Sequence, residues 1–413
     1  MFLIYQLLLT LVILISPFII IVRILKGKED IKRFKEKFCL FSKKRHRGKI
    51  LWFHGSSVGE IMSAIPLINK YDKVNYFSQI LVTSSTLSSS KILQKYKFKK
   101  VTHQYFPIDH IFFSNFFINY WKPNISIFLE SEIWPSMYRS IKLKKIPLIL
   151  LNARITNKTF KRWNKFKENS AKIFAKIDIA FAQNRETSQF LKKLGVKKIK
   201  YIGNLKYFED KKIKNDEIEG KLKSKFENYK ICVAASTHDN EEFFAAKTHI
   251  LLKKKINKLI TVIIPRHIDR VNKINNQLKN LNLKTVYHSS KINNLDNIDI
   301  YIVDTFGDSK KFYKFATTVF LGKSIVKGGG QNPLEPARFG AKILHGPGVS
   351  NFKDVYKYLK QLKISSEVNS PKKCANSVIF KKNMKKVKKM KYLGSRILKK
   401  TLNELDKSIH NEI

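Results

Sequence analysis

The stretch 49-KILWFHGSSVGEIMSAIPLI-68 decides how the rest of the chain is read. An apolar run, Ile50 to Phe53, breaks into a small polar turn. Apolar residues then resume at helical spacing through Ile61, Ala64, Ile65 and Ile68. This is a buried strand, a turn and a helix, the opening of a parallel α/β unit. The turn delivers one carboxylate, Glu60, to the first helical turn. Two roles compete for it. Ser57-Val58-Gly59-Glu60 fits the S-x-x-E capping box, and the helix dipole favours an acid there. The same position suits a group that takes a proton from a ligand.

Outward from this unit the pattern repeats. Strands are expected at 49–53, 77–83, 125–129, 146–151, 178–182 and 199–202. After a charged, Asn- and Lys-rich interval, roughly 208–228, they resume at 230–235, 259–264, 284–288, 299–303, 317–321 and 341–345. The reading is two α/β domains in series. The polar residues sit just after the strands: HGSSVGE, ESE, NAR and GNLK in the first half, then STHDNEE, PRH, DTFGD and GGGQNPLE in the second. Ligands of open α/β sheets bind outside the carboxyl ends of the strands. Four such turns from each half imply one cleft between two facing domains.

Composition narrows the function. The chain has 413 residues, 43% hydrophobic and 12% aromatic, enough for real cores and unlike a disordered polyelectrolyte. Its formal charge of +50 comes overwhelmingly from lysines scattered through helices and loops. A nucleic-acid binder gathers Arg with aromatics on one face, so no nucleic-acid partner is expected; anionic ligands and membrane surfaces are. Cys39, Cys232 and Cys374 lie far apart with no C-x-x-C pair, which indicates neither a disulfide framework nor a zinc site.

The opening MFLIYQLLLTLVILISPFIIIV is almost wholly apolar and long enough to cover a hydrocarbon core. No basic residue precedes it and no small-x-small site follows, which fits an anchor better than a cleaved signal. Arg23, Lys26, Lys28, Lys32, Arg33 and 43-KKRHRGK-49 follow, placing the rest on the cytoplasmic side. Pro17 leaves two geometries open, a helix that spans and one that lies in the membrane.

In the second half, Ser236-Thr237-His238-Asp239 follows a strand and opens a helix, either as an N-cap or as a candidate anion seat. Arg266 and His267 in 264-IPRH-267 end another strand, where Arg266 suits a surface ion pair or, facing the same cleft, anion recognition. The strongest local signal is 328-GGGQNPLEPARFGAKILHGP-347. Its glycines allow close backbone approach, Asn332-Pro333 begins a helix, and Glu335 in the first turn can accept two ribose hydroxyls. No Walker-type or G-x-G-x-x-G loop is present.

The series HGSSVGE, ESEIWP, NARIT, GNLKY, STHDNEE, PRHIDR, DTFGD and GGGQNPLEPARFG, in that order from about Leu51 to Val355, resembles the 3-deoxy-D-manno-octulosonic acid (Kdo) transferase family of lipopolysaccharide synthesis. The resemblance implies a glycosyltransferase-B fold of two Rossmann-like domains. It also implies CMP-Kdo as donor, a lipid A precursor (lipid IVA) as acceptor, inversion at the anomeric carbon, and neither metal nor cofactor. The corresponding organisation is a membrane anchor 1–24, a basic juxtamembrane linker 25–48, an acceptor-side domain 49–210, a CMP-sugar-binding domain 211–375 and an amphipathic helix 376–413. The location implied is the bacterial inner membrane, with the catalytic domains on its cytoplasmic side.

Residue by residue, Glu60 matches the family's proton acceptor, and Glu130 and Lys206 match positions that stabilise the transition state. Pro265 and Arg266, Phe306, Gly307 and Asp308, and Asn332, Pro333, Leu334 and Glu335 match the CMP-binding segments. Gln331 stands where the family usually has His, Lys323 where Gly is common, and Asp308 where Glu is common. The chemistry asks for such groups. The attacking hydroxyl needs a carboxylate base, positive charge at the anomeric carbon favours a second carboxylate, and the leaving phosphate needs cations such as Lys206 and Arg266. For Glu130 a purely structural bond within ESEIWP stays open. His103 and His110 match nothing and are read as ordinary residues. The aromatic 111-IFFSNFFINYW-121 suits core packing first and membrane contact second. The Lys-rich stretch 381–409 either packs back on the N-terminal domain or lies on the bilayer.

Overall fold

The computed structural model describes residues 2–209, 224, 226–290, 294–326 and 328–412; most of the charged interval 208–228 lies outside them. The chain divides into two compact units, residues 1–210 with 393–413, and residues 211–392.

The first unit holds a seven-stranded, all-parallel sheet in the order β3-β2-β1-β4-β5-β6-β7. Its strands are β1 (Ile50–His54), β2 (Gln79–Ser84), β3 (Val101–Tyr105), β4 (Ile125–Leu129), β5 (Leu148–Ala153), β6 (Ile179–Ala182) and β7 (Ile199–Tyr201). Every residue of β1 is buried, because helices cover both faces of a parallel sheet. Trp52 packs on one face with Phe117 and Phe128, while Leu51 and Phe53 face Ile61, Ile65 and Ile68 on the other. The last three belong to α2 (Val58–Tyr71), the helix that the opening stretch announces. The strand order reverses between β1 and β4, which makes their carboxyl ends the switch point of this sheet.

The second unit repeats the plan in the order β10-β11-β9-β8-β12-β13-β14, again all parallel. Here β8 spans Lys230–Thr237, β9 Leu259–Pro265, β10 Thr285–Tyr287, β11 Ile300–Ile302, β12 Thr318–Leu321, β13 Lys342–His345 and β14 Ser365–Glu367. Its switch point lies between β8 and β12. All twelve expected strands are present. The two that the sequence hides, β3 and β14, are the polar edge strands VTHQY and SSE. An edge strand needs no continuous apolar run, since only one side pairs.

The apolar opening forms one helix, α1 (Phe2–Leu25), uninterrupted by Pro17. One side lies against the first unit. Tyr5 Oη donates to Asp109 Oδ2 at 2.8 Å, Gln6 Nε2 to Ser136 Oγ at 2.8 Å, and the Ile111 N–H to Gln6 Oε1 at 2.9 Å. At the other end Arg23 pairs with the buried Glu29 at 2.9 Å. The segment that follows is held by Arg33 Nη2, which donates to the His103 carbonyl at 2.8 Å. The outward side, with Leu3, Leu7, Leu11, Leu14 and Phe18, is exposed.

In the helix Ile111–Trp121, Phe117, Ile118 and Trp121 are core, while Phe112 and Phe116 face outward. His103 is half-buried, with Nε2 2.9 Å from Ser84 Oγ, and His110 Nδ1 accepts the Phe112 N–H at 3.3 Å. The last helix runs Met384–Glu412. From Leu393 onward it packs on the first unit. Leu405 and Ile409 join the α2 core, Tyr71 Oη donates to Asp406 at 2.8 Å, and Lys200 pairs with Glu404. The three cysteines are free and buried.

Candidate active site

The first unit gathers its polar turns at the switch point between β1 and β4. Ser57 is the N-cap of α2, and the capping box is complete. The Ser57 hydroxyl accepts the Glu60 N–H at 3.4 Å, and Glu60 Oε2 accepts the N–H groups of Ser56 at 2.7 Å and Ser57 at 3.2 Å. The carboxylate is thereby fixed over the end of β1. Gly55 makes this closeness possible: a Cβ there would lie 2.8 Å from Leu129 Cδ1 and 3.1 Å from Glu60 Cβ.

Two further carboxylates follow β4. Glu130 is 4% exposed and adopts a left-handed backbone, φ 51°, a costly conformation for a residue with a Cβ. Its side chain is ion-paired to Lys206 Nζ. Lys206 sits in a short 3₁₀ turn, Leu205–Tyr207, held by Asn204 and by Asn152 Oδ1, which accepts the Leu205 N–H at 3.1 Å. Asn152 lies near the end of β5 with φ 52°, and its side chain seats the GNLK turn. Glu132 accepts from Ser56 Oγ at 2.5 Å, Trp134 Nε1 at 2.8 Å and His54 Nε2 at 3.1 Å. Burial opposes its ionisation, but the His54, Ser56 and Trp134 bonds hold its pKa below the ordinary glutamate value.

The electrostatic result falls on Glu60. Burial first, then the negative fields of Glu132 and Glu130, push its carboxyl up to about 7, against the pull of its Ser57 bonds. A group titrating there can both take and hold a proton at neutral pH. Glu60, Glu130 and Lys206 are thus brought together by three separate turns. Nothing local marks Glu132 in the sequence, because its partners His54 and Ser56 lie in another segment.

In the second unit the expected residues also sit at carboxyl strand ends. Pro265 ends β9 and Arg266 follows it, exposed, its backbone N–H bonded to the Thr237 carbonyl at 3.0 Å. Phe306, Gly307 and Asp308 follow β11, with Phe306 88% exposed. Asp308 accepts from Thr305 Oγ1 at 2.5 Å and pairs with Lys311 at 2.7 Å; burial opposes ionisation there, yet these partners depress its pKa. Asn332 Oδ1 accepts the Leu334 N–H at 3.1 Å, an Asx turn through Pro333 that starts a short helix, Leu334–Arg338. In that helix Glu335 lies half exposed with Lys310 at 3.5 Å.

Ser236 and Thr237 belong to the strand and not to the helix cap, which is Asn240 ahead of Glu241–Lys253. The anion at that helix start is the protein's own. Glu241, fully buried, accepts the N–H groups of His238 at 3.0 Å, Lys323 at 2.6 Å, Ser324 at 3.0 Å and Ile325 at 3.0 Å. It ties the turn after β8 to the turn after β12 across the second switch point. Within STHDNEE nothing marks Glu241, since three of its four partners come 82 to 84 residues later. The glycines of 328-GGG-330 approach the chain itself: a Cβ on Gly329 would lie 2.5 Å from Asn351 Nδ2, and one on Gly330 3.1 Å from Val349 Cα.

Comparison with known proteins bears on the family and the fold. The family model described as 3-deoxy-D-manno-octulosonic-acid transferase matches residues 32–209. The 3-deoxy-D-manno-octulosonic acid transferase of Rickettsia bellii is 34% identical over 362 residues, 88% of this chain and 86% of that protein. The enzyme of the same name from Haemophilus influenzae is 30% identical over 78% of this chain and 76% of its own length. Among solved structures, UDP-GlcNAc 2-epimerase from Neisseria meningitidis shares the fold, with a TM-score of 0.57 at 14% identity over 86% of this chain and all of that one. Two doubly wound parallel units of the glycosyltransferase-B class, carrying this motif series at their strand ends, belong to the Kdo transferase family of lipopolysaccharide synthesis, and this chain is a member of it.

Proposed function

We propose that the chain moves Kdo from CMP-Kdo to a lipid A precursor, lipid IVA, by an inverting displacement that uses no metal. In this reading the acceptor hydroxyl gives its proton to Glu60 as its oxygen bonds the anomeric carbon of Kdo. The bond from that carbon to the CMP phosphate breaks on the opposite side, and CMP departs with the electron pair. The observation that carries the reading is the Glu60 carboxyl, fixed by two backbone N–H groups and raised to about 7 by burial and by Glu132 and Glu130. A base needs that pKa to accept a proton from an alcohol without holding it too firmly.

Glu130 then stabilises positive charge at the anomeric carbon, and its ion pair with Lys206 holds the side chain in place for that task. Pro265, Arg266, Phe306, Gly307, Asp308 and the Asn332-Pro333-Leu334-Glu335 turn bind CMP, with Arg266 facing the phosphate and Glu335 the ribose. Ser236 and Thr237 form a candidate anion seat at the end of β8, beside the His238 N–H that Glu241 already takes. Lys206 and Arg266 carry the charge neutralisation that a metal supplies elsewhere. The workplace is the cytoplasmic face of the bacterial inner membrane, to which the exposed apolar side of α1 attaches the chain.

Incubating the full-length protein with CMP-Kdo and a tetra-acylated lipid A precursor, and reading the product mass, tests this directly. A mass gain of one or more Kdo residues supports it. Transfer from a UDP-sugar in place of CMP-Kdo would overturn the donor assignment.

A further inference from the structure

Beside the first turn of α1 lies a cavity of about 500 Å³ that the reaction above does not use. Its floor is apolar: Phe2 and Tyr5 of α1, Pro135 and Leu143 of the helix Pro135–Leu143, and Trp163 and Ile173 beyond. Its rim is cationic, with Arg139, Lys142, Lys172 and Lys176 all lining it. One of them, Lys142, is paired with Asp178, which does not line the cavity and also accepts the Leu148 N–H at 2.7 Å. Four cations against one shared carboxylate leave the rim strongly positive. The Lys176 ammonium shows the strain, since burial and then the Arg139 and Lys142 charges depress its pKa. None of Glu60, Glu130 or Lys206 lines the cavity.

The helix that walls it cannot cross a bilayer while docked as it is. Its 24 residues span about 36 Å, and both ends are bonded to the same unit. Near the start are Tyr5 to Asp109 and Gln6 to Ser136; at the finish Arg23 binds Glu29, and the adjoining Asp30 accepts from Tyr105 Oη of β3 at 3.2 Å. Its polar residues Gln6 and Ser16 face inward, and an outer row of leucines, isoleucines and Phe18 faces out. Such a helix lies along a lipid surface with its outer row in the hydrocarbon. The cavity then opens at the depth where acyl chains meet phosphates.

We propose that this cavity is a seat for one anionic phospholipid of that membrane, an acyl chain on the apolar floor and the phosphate on Arg139, Lys172 and Lys176. The charge of the rim selects an anionic head group, and the apolar floor requires a long chain. None of the residues assigned to catalysis lines this seat, so a lipid held there anchors the protein at the surface without reacting.

Native mass spectrometry of the full-length protein, released from detergent with dioleoyl phosphatidylglycerol as probe, tests this. One phosphatidylglycerol should remain bound, at least tenfold more tightly than dioleoyl phosphatidylcholine and than dihexanoyl phosphatidylglycerol. Lys172→Ser with Lys176→Ser should weaken it at least tenfold, and Asn169→Trp, which fills the cavity, should do the same with the rim charge intact. The single change Lys176→Gln is the gentler check should either variant misfold, with a several-fold loss expected. Unchanged binding in these variants overturns the proposal. So does equal affinity for the short-chain lipid, which would mean a phosphate site alone. Competitive displacement of phosphatidylglycerol by a tetra-acylated lipid A precursor would make the cavity part of the acceptor site, and also overturns it.

Discussion

Glu60 Oε2 and the backbone N–H of Ser56 stand 2.7 Å apart, so the carboxylate expected to accept a proton is also the one that caps its own helix. Cap and base are usually weighed as alternatives. Here the cap aims the carboxylate, and the neighbouring acids set its affinity for a proton. Replacing it by Gln keeps a capping acceptor but removes the base. Glu60→Gln should fold, bind CMP normally and lose transfer by about two to four orders of magnitude. Single-turnover assays beside CMP titration check both halves.

The pH profile reports the same group. With the carboxyl at about 7, kcat/KM should rise with unit slope below pH 7 and level off above it. Glu132→Gln removes the larger of the two negative fields on Glu60, so the acid limb should move to lower pH. Folding is linked with the opposite sign. A carboxyl raised from 4.5 to about 7 takes up a proton on folding between those values, so its contribution to stability is present at low pH and fades as pH rises through 7. An acid limb that stays in place in Glu132→Gln would remove the proposed electrostatic coupling.

Lys206 neutralises a carboxylate that is 4% exposed. Lys206→Met takes the ion-pair partner away from a buried carboxyl group, and should cost about 3 kcal/mol of stability as well as activity. Adding Glu130→Gln should return part of that stability but none of the activity. Denaturant melts of the two single variants and the double variant complete the cycle. Additive losses would mean that the two side chains are not coupled.

The four N–H bonds to Glu241 predict a local effect far from it in sequence. Glu241→Gln keeps the shape but loses the charge that strengthens those bonds, at a cost of roughly 2–3 kcal/mol. The amides of Lys323, Ser324 and Ile325 should lose hydrogen-exchange protection, while those of the core strand β9 keep theirs. Nucleotide affinity should fall with them, because the loop leading to Asn332 hangs from this clamp.

Gly55→Ala tests how finely Glu60 is placed. The added methyl presses on Leu129 Cδ1 and on Glu60 Cβ, and a displacement of a few tenths of an ångström suffices to relieve it. Stability should change little, since one contact is the end of a flexible side chain. Turnover should fall about tenfold or more, as expected for small misplacement of a reacting group.

What the sequence determined by itself was the repeated strand-turn-helix unit, the placing of polar residues after strands, and the family. Buried parallel strands must be apolar on both faces, so ILWF, ISIFL and LITVII declare themselves, and Glu60 in S-x-x-E carries its cap and its helical position in four letters. Tertiary structure alone decided what depends on residues far apart in the chain. The edge strand VTHQY, the pairing of Lys206 with Glu130, the Glu241 clamp on a loop 82 residues later and the docking of α1 through Tyr5 and Gln6 have no local signature. A hydrogen bond or a Coulomb field acts through space, whereas periodicity and capping act along the chain, and only the second kind is written in consecutive residues.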